Sequence, residues 1–265
     1  MDTEKLLART EIRRQIKSCT SCNLHASCTA PVPFSGPSDA SVVVIGEAPG
    51  KQEDARGEPF VGLSGRLLRA WLAEADFDME TVAFVNVVSC YPNRTPTSRE
   101  IEACRGNLVS QLAHIGARWH LVLGGVAVNA LLPLQLRIGE VRGLWWRMPE
   151  YAAGEGVEAW ALATWYPAAV LRNRTLEVQA TCDVLYMSMV AQKPDVFVPG
   201  NNYCVKCKSP LISRDLHGIL YCARHDPSGK GRDTSANRDA HRTRSSRSKG
   251  SAGRASQLGL GLLQE

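Results

Sequence analysis

The clearest indication of the fold is a strand followed by a turn, in Ser41-Val42-Val43-Val44-Ile45-Gly46-Glu47-Ala48-Pro49-Gly50. Its first half, residues 41–45, is an apolar run typical of a strand that is buried on both faces of a parallel sheet. Its second half is a tight turn rich in glycine and proline, where the backbone can come close to a ligand. Ligands of open parallel sheets bind beyond the carboxyl ends of the strands, so we expect the functional site to begin at this turn.

Apolar and amphipathic segments alternate along the rest of the chain. We predict further strands at 81–88, 121–123 and 159–165, and helices at 4–17, 63–75, 98–114 (with Ser98 as N-cap), 125–132 and 168–192. Strands that alternate with helices are typical of an α/β fold. We therefore predict a three-layer α/β/α sandwich around a central, mostly parallel four-stranded sheet.

The composition divides the chain into a main domain and three appendages. The 265 residues, 44% of them hydrophobic, suffice for one well-buried domain, which we place at residues 1–195. Residues 200–227 form a small module rich in Cys and His. Residues 228–256 hold eight Lys or Arg and two Asp among Ser and Gly, and we expect this basic linker to be disordered. Residues 257–265 become apolar again.

Cysteine spacing and the amino terminus indicate the compartment. Pairs of the C-x-x-C type are typical of metal binding in a reducing environment, whereas secreted proteins use cysteines as a disulfide framework. Residues 4–17 lack the apolar run of a signal peptide, and no stretch of about 20 apolar residues could span a membrane. We expect a soluble, cytoplasmic monomer that is associated with the nucleoid of a bacterium or of a phage-infected cell.

Side chains suited to a flat heterocycle follow the predicted strands. Glu47 and Glu53 flank the first turn, and Phe60 lies in the rigid segment Gly57–Gly62. The amide of Asn86, at the end of the second strand, can both donate and accept a hydrogen bond, as the edge of a pyrimidine requires. Taken singly, Phe60 would more often be a core aromatic and Asn86 a turn residue. Their common place at successive strand ends favours a nucleobase pocket.

Five segments in this order resemble family 4 uracil-DNA glycosylases. They are GEAPGKQED (46–54), GEPFVG (57–62), VAFVNVVSC (82–90), NRTP (93–96) with Cys104 after it, and PAAVLR (167–172). The resemblance covers roughly residues 16–192. It implies a base-excision repair enzyme that hydrolyses the N-glycosidic bond of deoxyuridine, or of a related damaged base, in DNA.

The resemblance also implies roles for individual residues. Phe60 would stack on the flipped base, Asn86 would recognise its pairing edge, and Ala48 would contact the base where other glycosylase families carry a catalytic Asp. Glu53 would position or deprotonate the attacking water, with Glu47 in support. A base inside a duplex must be extruded before any enzyme can reach it, which agrees with a snug aromatic pocket.

The segment after the fourth strand carries one departure from the family. Leu171 and Arg172 would enter the DNA groove and hold the gap open. The family places a histidine before Pro-Ala, and this chain has Tyr166. A tyrosine hydroxyl can donate one hydrogen bond to the departing base but stays neutral at pH 7. The alternative function is a catalytically weak or inactive base-binding module that is tethered to the replication clamp.

Four cysteines match the cluster ligands of the family. Cys19, Cys22, Cys90 and Cys104 would bind a [4Fe–4S] cluster, which requires four thiolates. Zinc at the same thiols is the physical alternative, because four cysteines also suit a tetrahedral zinc ion. The cluster would be structural, since glycosidic hydrolysis transfers no electrons. We expect Cys28 not to be a ligand.

The module at residues 200–227 carries the spacing of a metal site. Cys204, Cys207, Cys222 and His225 have the spacing of a zinc ribbon, which predicts one tetrahedral Zn²⁺ ion.

The carboxyl-terminal signal is a short apolar peptide. Gln257, Leu258, Leu260 and Leu262 resemble the peptide by which bacterial replication proteins bind the sliding clamp. At the end of a flexible linker, such a peptide would raise the effective concentration of the protein at newly copied DNA.

Overall fold

The α/β architecture is confirmed. The computed structural model describes residues 3–131, 137–153 and 156–194, together with the backbone of 212–214 and 219–221. Its strands are β1 Val42–Gly46, β2 Val82–Asn86, β3 Trp119–Leu123, β4 Trp145–Arg147, β5 Trp160–Thr164, β6 Ile212–Arg214 and β7 Ile219–Tyr221. The sheet order is β2-β1-β3-β5-β4-β7-β6.

The four predicted strands are the four parallel ones. β1 pairs in parallel with both β2 and β3, and β3 pairs in parallel with β5. The fifth strand, β4, was not predicted and runs antiparallel to β5. Two short antiparallel strands extend the sheet beyond β4: β7 pairs with β4, and β6 pairs with β7. The carboxyl ends of β1, β2, β3 and β5 therefore lie along one edge of the sheet.

Helices cover both faces of the sheet. They are α1 Thr3–Lys17, α2 Lys51–Arg56, α3 Leu63–Glu74, α4 Ser98–Ile115, α5 Gly124–Leu131, α6 Ile138–Val141, α7 Pro167–Arg172 and α8 Glu177–Gln192. Side chains alternate between the two faces of a strand. On one face Val43 and Ile45 of β1 pack with residues of α4 and α5, and on the other Val42 and Val44 pack with residues of α3 and α8. This is the predicted three-layer sandwich.

The amino terminus of α4 differs from the sequence prediction by one residue. Thr97, not Ser98, is the N-cap, and its hydroxyl accepts a hydrogen bond from the Glu100 amide at 3.3 Å. The Glu100 carboxylate in return accepts from the Thr97 amide at 2.8 Å. This reciprocal arrangement leaves Ser98 as the first helical residue.

The predicted helix 168–192 is two helices. Between α7 and α8, the Asn173 carboxamide oxygen accepts hydrogen bonds from the amide and the hydroxyl of Thr175, at 3.2 and 2.7 Å. Asparagine competes with helical hydrogen bonding in this way, which explains the break. Downstream, Cys182 is exposed on α8.

A buried ion pair fixes α8 to the end of β5. The Arg142 guanidinium contacts the Asp183 carboxylate at 2.7 Å, and both side chains are almost fully buried. The Thr164 hydroxyl donates to the same carboxylate at 2.8 Å. Thr164 is the last residue of β5, so this pair fixes the strand end from which Tyr166 follows.

No helix in the described ranges is long and apolar enough to cross a membrane.

Candidate active site

A cleft of about 550 Å³ opens at the carboxyl ends of β1, β2 and β5. All six residues that the sequence predicts for the base pocket and the reaction line it: Glu47, Ala48, Glu53, Phe60, Asn86 and Tyr166. Residues as far apart in the chain as Glu47 and Tyr166 thus meet at the carboxyl ends of the strands, as expected for a parallel α/β fold.

An aromatic ring forms one wall of the cleft. Phe60 is buried and its ring lies 5.5 Å from that of Phe84, at an angle of 46°. Gly46, the last residue of β1, lies directly against this wall. A Cβ on Gly46 would lie 2.6 Å from Phe60 Cζ and 2.6 Å from Asn86 Oδ1. Only glycine therefore lets the ring and the amide come together here.

The Asn86 side chain is buried with an unused acceptor. Its exposure is 6%, and within the described part of the chain its Oδ1 has no hydrogen-bond partner. An unpaired buried acceptor is costly, and native proteins rarely leave one without a ligand or a water. Because this atom lies in the wall of the cleft, it indicates a hydrogen-bond donor on a bound molecule.

The two carboxylates of the cleft have different surroundings. Glu53 is buried, and its oxygens accept hydrogen bonds from the amides of Gly50 at 3.1 Å and Gly62 at 2.6 Å. These glycines are the N-caps of α2 and α3, so Glu53 joins the two helix starts. The Glu47 carboxylate makes no hydrogen bond or ion pair within the described ranges, although the backbone carbonyl of Glu47 accepts from the Val88 amide at 3.0 Å. Burial raises the pKa of Glu47, and the positive charge of Arg172 opposes that shift.

Tyr166 extends into the cleft from the N-cap of α7. Its hydroxyl makes no hydrogen bond to any residue that the structure describes. Burial raises its pKa well above the ordinary value of 10, and the nearby carboxylates of Glu47 and Glu53 raise it further. The hydroxyl is therefore a neutral donor close to two acids.

The rim of the cleft combines cations with apolar groups. Arg172 lines the cleft and is exposed, whereas Leu171 is half-buried and does not line it. Leu63, with 64% exposure, and Arg94 also line the cleft, although neither was predicted from the sequence. Leu63 follows GEPFVG and Arg94 lies within NRTP, so adjacency to the motifs was the available signal.

Cysteines from the amino-terminal segment, from the segment after β2 and from α4 lie near one another. The thiols of Cys90 and Cys104 are buried, and those of Cys19 and Cys22 are half-buried. Burial raises the pKa of the Cys90 thiol, and the neighbouring thiols of Cys28, Cys104 and Cys22 raise it further. Burial likewise raises the pKa of Cys104, with a smaller contribution from Cys19. Cys90 thus lies near Cys22, Cys28 and Cys104, and Cys104 lies near Cys19.

Four thiolates are the donor set that a [4Fe–4S] cluster requires. The Ser89 amide donates to Cys104 Sγ at 3.3 Å, and hydrogen bonds to sulfur stabilise cluster thiolates. One tetrahedral ion needs its four sulfurs within about 2.3 Å of a single centre. Among the described residues, no three His, Cys, Asp or Glu side chains are grouped in this way. The zinc alternative at these thiols is therefore not supported.

Two predicted sites lie outside the described residues. They are the zinc-ribbon set, Cys204, Cys207, Cys222 and His225, and the clamp peptide, Gln257, Leu258, Leu260 and Leu262.

Comparison with known proteins agrees with this geometry. Residues 33–186 match the uracil DNA glycosylase superfamily. The chain is similar to the type-4 uracil-DNA glycosylase of Archaeoglobus fulgidus, with 37% identity over 179 residues, which are 65% of this chain and 88% of that protein. It is similar also to the type-4 uracil-DNA glycosylases of Pyrobaculum aerophilum (36% identity; 66% and 88%) and Thermotoga maritima (36% identity; 63% and 85%). The cleft residues, Cys90 and Cys104 lie in the matched region, whereas Cys19 and Cys22 precede it. This chain belongs to the type-4 uracil-DNA glycosylase family.

Proposed function

We propose that this protein is a base-excision repair hydrolase that removes uracil, or a closely related base, from DNA. The observation that carries the proposal is the unpartnered Oδ1 of Asn86 beside the buried ring of Phe60 in the cleft. A flat ring wall and an amide at its edge are what a flipped pyrimidine requires.

Recognition follows from these two side chains. The base stacks on Phe60, and the carboxamide of Asn86 accepts the N3–H of uracil and donates to a neighbouring carbonyl oxygen. Cytosine offers an unprotonated N3 and an amino group instead, so the same pair of hydrogen bonds cannot form. Ala48, in the turn after β1, adds a small apolar contact and leaves room for the base.

The two carboxylates have different roles in the hydrolysis. A water oxygen forms a bond to C1′ while the bond from C1′ to N1 breaks, and the electron pair leaves with the base. Glu47 has the free carboxylate, so we assign it the removal of the water proton. Glu53 uses both oxygens on Gly50 and Gly62, so we assign it the fixing of the turn and electrostatic stabilisation of the cationic sugar.

Tyr166 serves the leaving base in this scheme. Negative charge grows on the base oxygens as the glycosidic bond breaks, and the neutral hydroxyl donates a hydrogen bond to one of them. A donor aimed at developing charge commonly contributes about 10²–10³ in rate. The family histidine would supply such a donor in the same place, and tyrosine supplies it without a titration near neutral pH.

The rim supports binding of the DNA strand. Arg172 supplies a cation for a phosphate, and Leu171 an apolar wedge for the gap that the flipped base leaves. Leu63 and Arg94 add a second apolar group and a second cation on the same rim. Affinity for DNA through such cations decreases as salt rises.

The thiols of Cys19, Cys22, Cys90 and Cys104 would hold a [4Fe–4S] cluster. When bound, the cluster would be structural and would connect the amino-terminal segment to Cys90 after β2 and to Cys104 of α4, without taking part in electron transfer. Purified protein should be brown and contain about four irons per chain. Colourless protein in which zinc occupies these thiols would overturn the assignment.

The appendages extend the proposal beyond the catalytic domain. The spacing of the last cysteines and His225 supports a zinc ribbon at 200–227, and the composition of 228–256 supports a basic linker that attracts phosphate. The peptide 257–265 supports binding to the sliding clamp in a cytoplasmic, DNA-associated monomer. Deletion of residues 257–265 should abolish co-elution with the clamp, and a clamp complex that survives the deletion would refute that role.

A uracil-containing oligonucleotide tests the reaction. After incubation with the protein, alkali should break the strand at the uracil, because an abasic site is alkali-labile. Glu47→Gln and Asn86→Ala should each suppress the breakage. If stoichiometric protein binds the oligonucleotide but yields no breakage, the protein recognises bases without excising them, and the enzymatic proposal fails.

A further inference from the structure

The backbone of Phe60 adopts an unusual conformation. Its φ is +58°, in the left-handed region that side chains other than glycine seldom enter. Such residues persist only where the surroundings determine their conformation, and they concentrate at functional sites. The question is which groups hold this ring in the wall of the cleft.

Helix α3 provides the support for the Phe60 backbone. Gly65 lies against it so closely that a Cβ there would be 2.0 Å from the Phe60 carbonyl oxygen. One turn later on the same helix, Arg69 Nε donates a hydrogen bond to that carbonyl at 3.4 Å. The glycine provides room for the carbonyl, and the arginine fixes its direction.

The same arginine also contacts the ring behind Phe60. The Arg69 guanidinium carbon lies over the Phe84 ring, 4.4 Å from its centre, in a cation–π contact. Phe84 in turn is the ring against which Phe60 leans. Arg69 therefore touches both the backbone of Phe60 and the ring that supports it, so the three residues form a closed set of contacts.

We propose that Arg69 is a positioning residue for base recognition, which holds Phe60 in its left-handed conformation and so sets the plane on which the flipped base stacks. Arg69 does not line the cleft and does not touch the base in this role. The inference rests on the proposed function, because it takes the ligand to be a nucleobase.

The test is Arg69→Met, which keeps most of the apolar volume and removes the donor and the cation. Arg66→Met is the matched control: Arg66 lies on the same helix, is exposed, and donates to the Val61 carbonyl instead. Two quantities are measured, the KM and kcat for a uracil-containing oligonucleotide and the inhibition constant of free uracil. Free uracil carries no phosphate, so its binding is insensitive to a lost surface charge.

Stacking acts on the bound base before and during the reaction, so its loss should raise KM more than it lowers kcat. We expect Arg69→Met to raise both KM and the uracil inhibition constant about tenfold. Arg66→Met should change the uracil constant by less than about twofold. Arg69→Lys should not rescue uracil binding, because lysine lacks the planar donor that reaches both partners.

Two results would overturn the inference. If Arg69→Met weakens DNA binding but leaves the uracil constant unchanged, Arg69 contacts phosphate and does not position Phe60. If Arg69→Met and Phe84→Leu act additively, the closed set of contacts does not exist, since residues in one set should couple. Wild-type protein that neither excises nor binds uracil would instead refute the proposed function, and this inference with it.

Discussion

The Asp54 carboxylate accepts hydrogen bonds from both polar groups of Thr29: from the backbone amide, 3.0 Å from each oxygen, and from the hydroxyl at 2.7 Å. Thr29 directly follows the segment that carries Cys19, Cys22 and Cys28, and Asp54 is the neighbour of Glu53 in α2. The contact thus joins the cysteine-rich loop to the helix that shapes the active site. Through this contact, a fixed conformation of the cysteine-rich loop also stabilises the helix that carries Glu53.

Asp54→Asn tests the contact between Asp54 and Thr29. Asp54 is buried, and the substitution replaces one carboxylate oxygen by an amino group that cannot accept from Thr29. We expect the free energy of unfolding, measured by urea titration, to fall by about 1–3 kcal/mol. Asp39→Asn, at an exposed position, is the control and should change it by less than about 0.5 kcal/mol. Equal values for both variants would mean that the contact contributes nothing to stability.

The pocket residues could be predicted because their signals are local. The apolar run and turn at 41–50 predict a strand and its ligand-binding end, and Asn86 follows a second such strand. Parallel topology then requires both to lie at the same edge. The left-handed Phe60 could not be predicted, because tertiary contacts with α3, not local propensity, determine its conformation.

The errors of the sequence analysis have equally specific causes. Strand β4 has only three residues, too few for periodicity to show, and it forms by pairing with β5. The break between α7 and α8 depends on one side-chain-to-backbone contact of Asn173 inside an apolar pattern that otherwise continues. The roles expected of Glu47 and Glu53 stay predictions, but their different surroundings could not be predicted. Which carboxylate reaches the amides of Gly50 and Gly62 depends on tertiary contacts that sequence spacing does not contain.

Tyr166→Phe isolates the hydroxyl. The ring and its packing are kept, so stability should be unchanged, while the donor to the leaving base is lost. We expect the single-turnover rate of uracil excision to fall by about 10²–10³. An unchanged rate in Tyr166→Phe would show that the hydroxyl takes no part, and the leaving base would then be stabilised by other groups.

Tyr166→His restores the residue type of the family at this position. The imidazole donates a hydrogen bond as well, and its charge can change near neutral pH, unlike that of the buried phenol. We expect Tyr166→His to excise uracil at least as fast as the wild type and to add a pH dependence near pH 6.5, about the ordinary pKa of histidine. The measurement is the single-turnover rate across this range in both proteins.

The pH dependence of the wild type should report Glu47. Burial raises its pKa above the ordinary 4.5, and Arg172 partly offsets the shift. A base must be ionised to accept a proton, so the rate should be lost as pH falls through this raised pKa. Arg172→Gln removes the opposing charge, and the acid limb of the single-turnover rate should then move to higher pH.

Arg174→Gln is the control for charge alone, since Arg174 is exposed and pairs with Glu177. It should leave the position of the acid limb unchanged. If the acid limb of the single-turnover rate also stays at the same pH in Arg172→Gln, then Glu47 is not the group whose titration sets it.

Gly46→Ala tests the closeness of the ring and the amide that define the pocket. A Cβ at this position would lie 2.6 Å from both Phe60 Cζ and Asn86 Oδ1, well inside contact distance, so at least one of the two must move. Overpacking of this kind costs about 1–3 kcal/mol. Because the displaced groups are the proposed base contacts, we expect loss of uracil inhibition and of excision in protein that is still folded at the assay temperature.

Gly106→Ala provides the matched comparison, because it adds the same methyl group where no atom of the described residues lies within 4 Å. Gly106 lies inside α4, where alanine is favoured over glycine by about 1 kcal/mol, so this variant should be slightly more stable and fully active. Gly46→Ala protein with normal uracil binding would mean that Phe60 and Asn86 do not contact the base together. The nucleobase would then have to bind elsewhere in the cleft, and the unpartnered Asn86 oxygen would need another explanation.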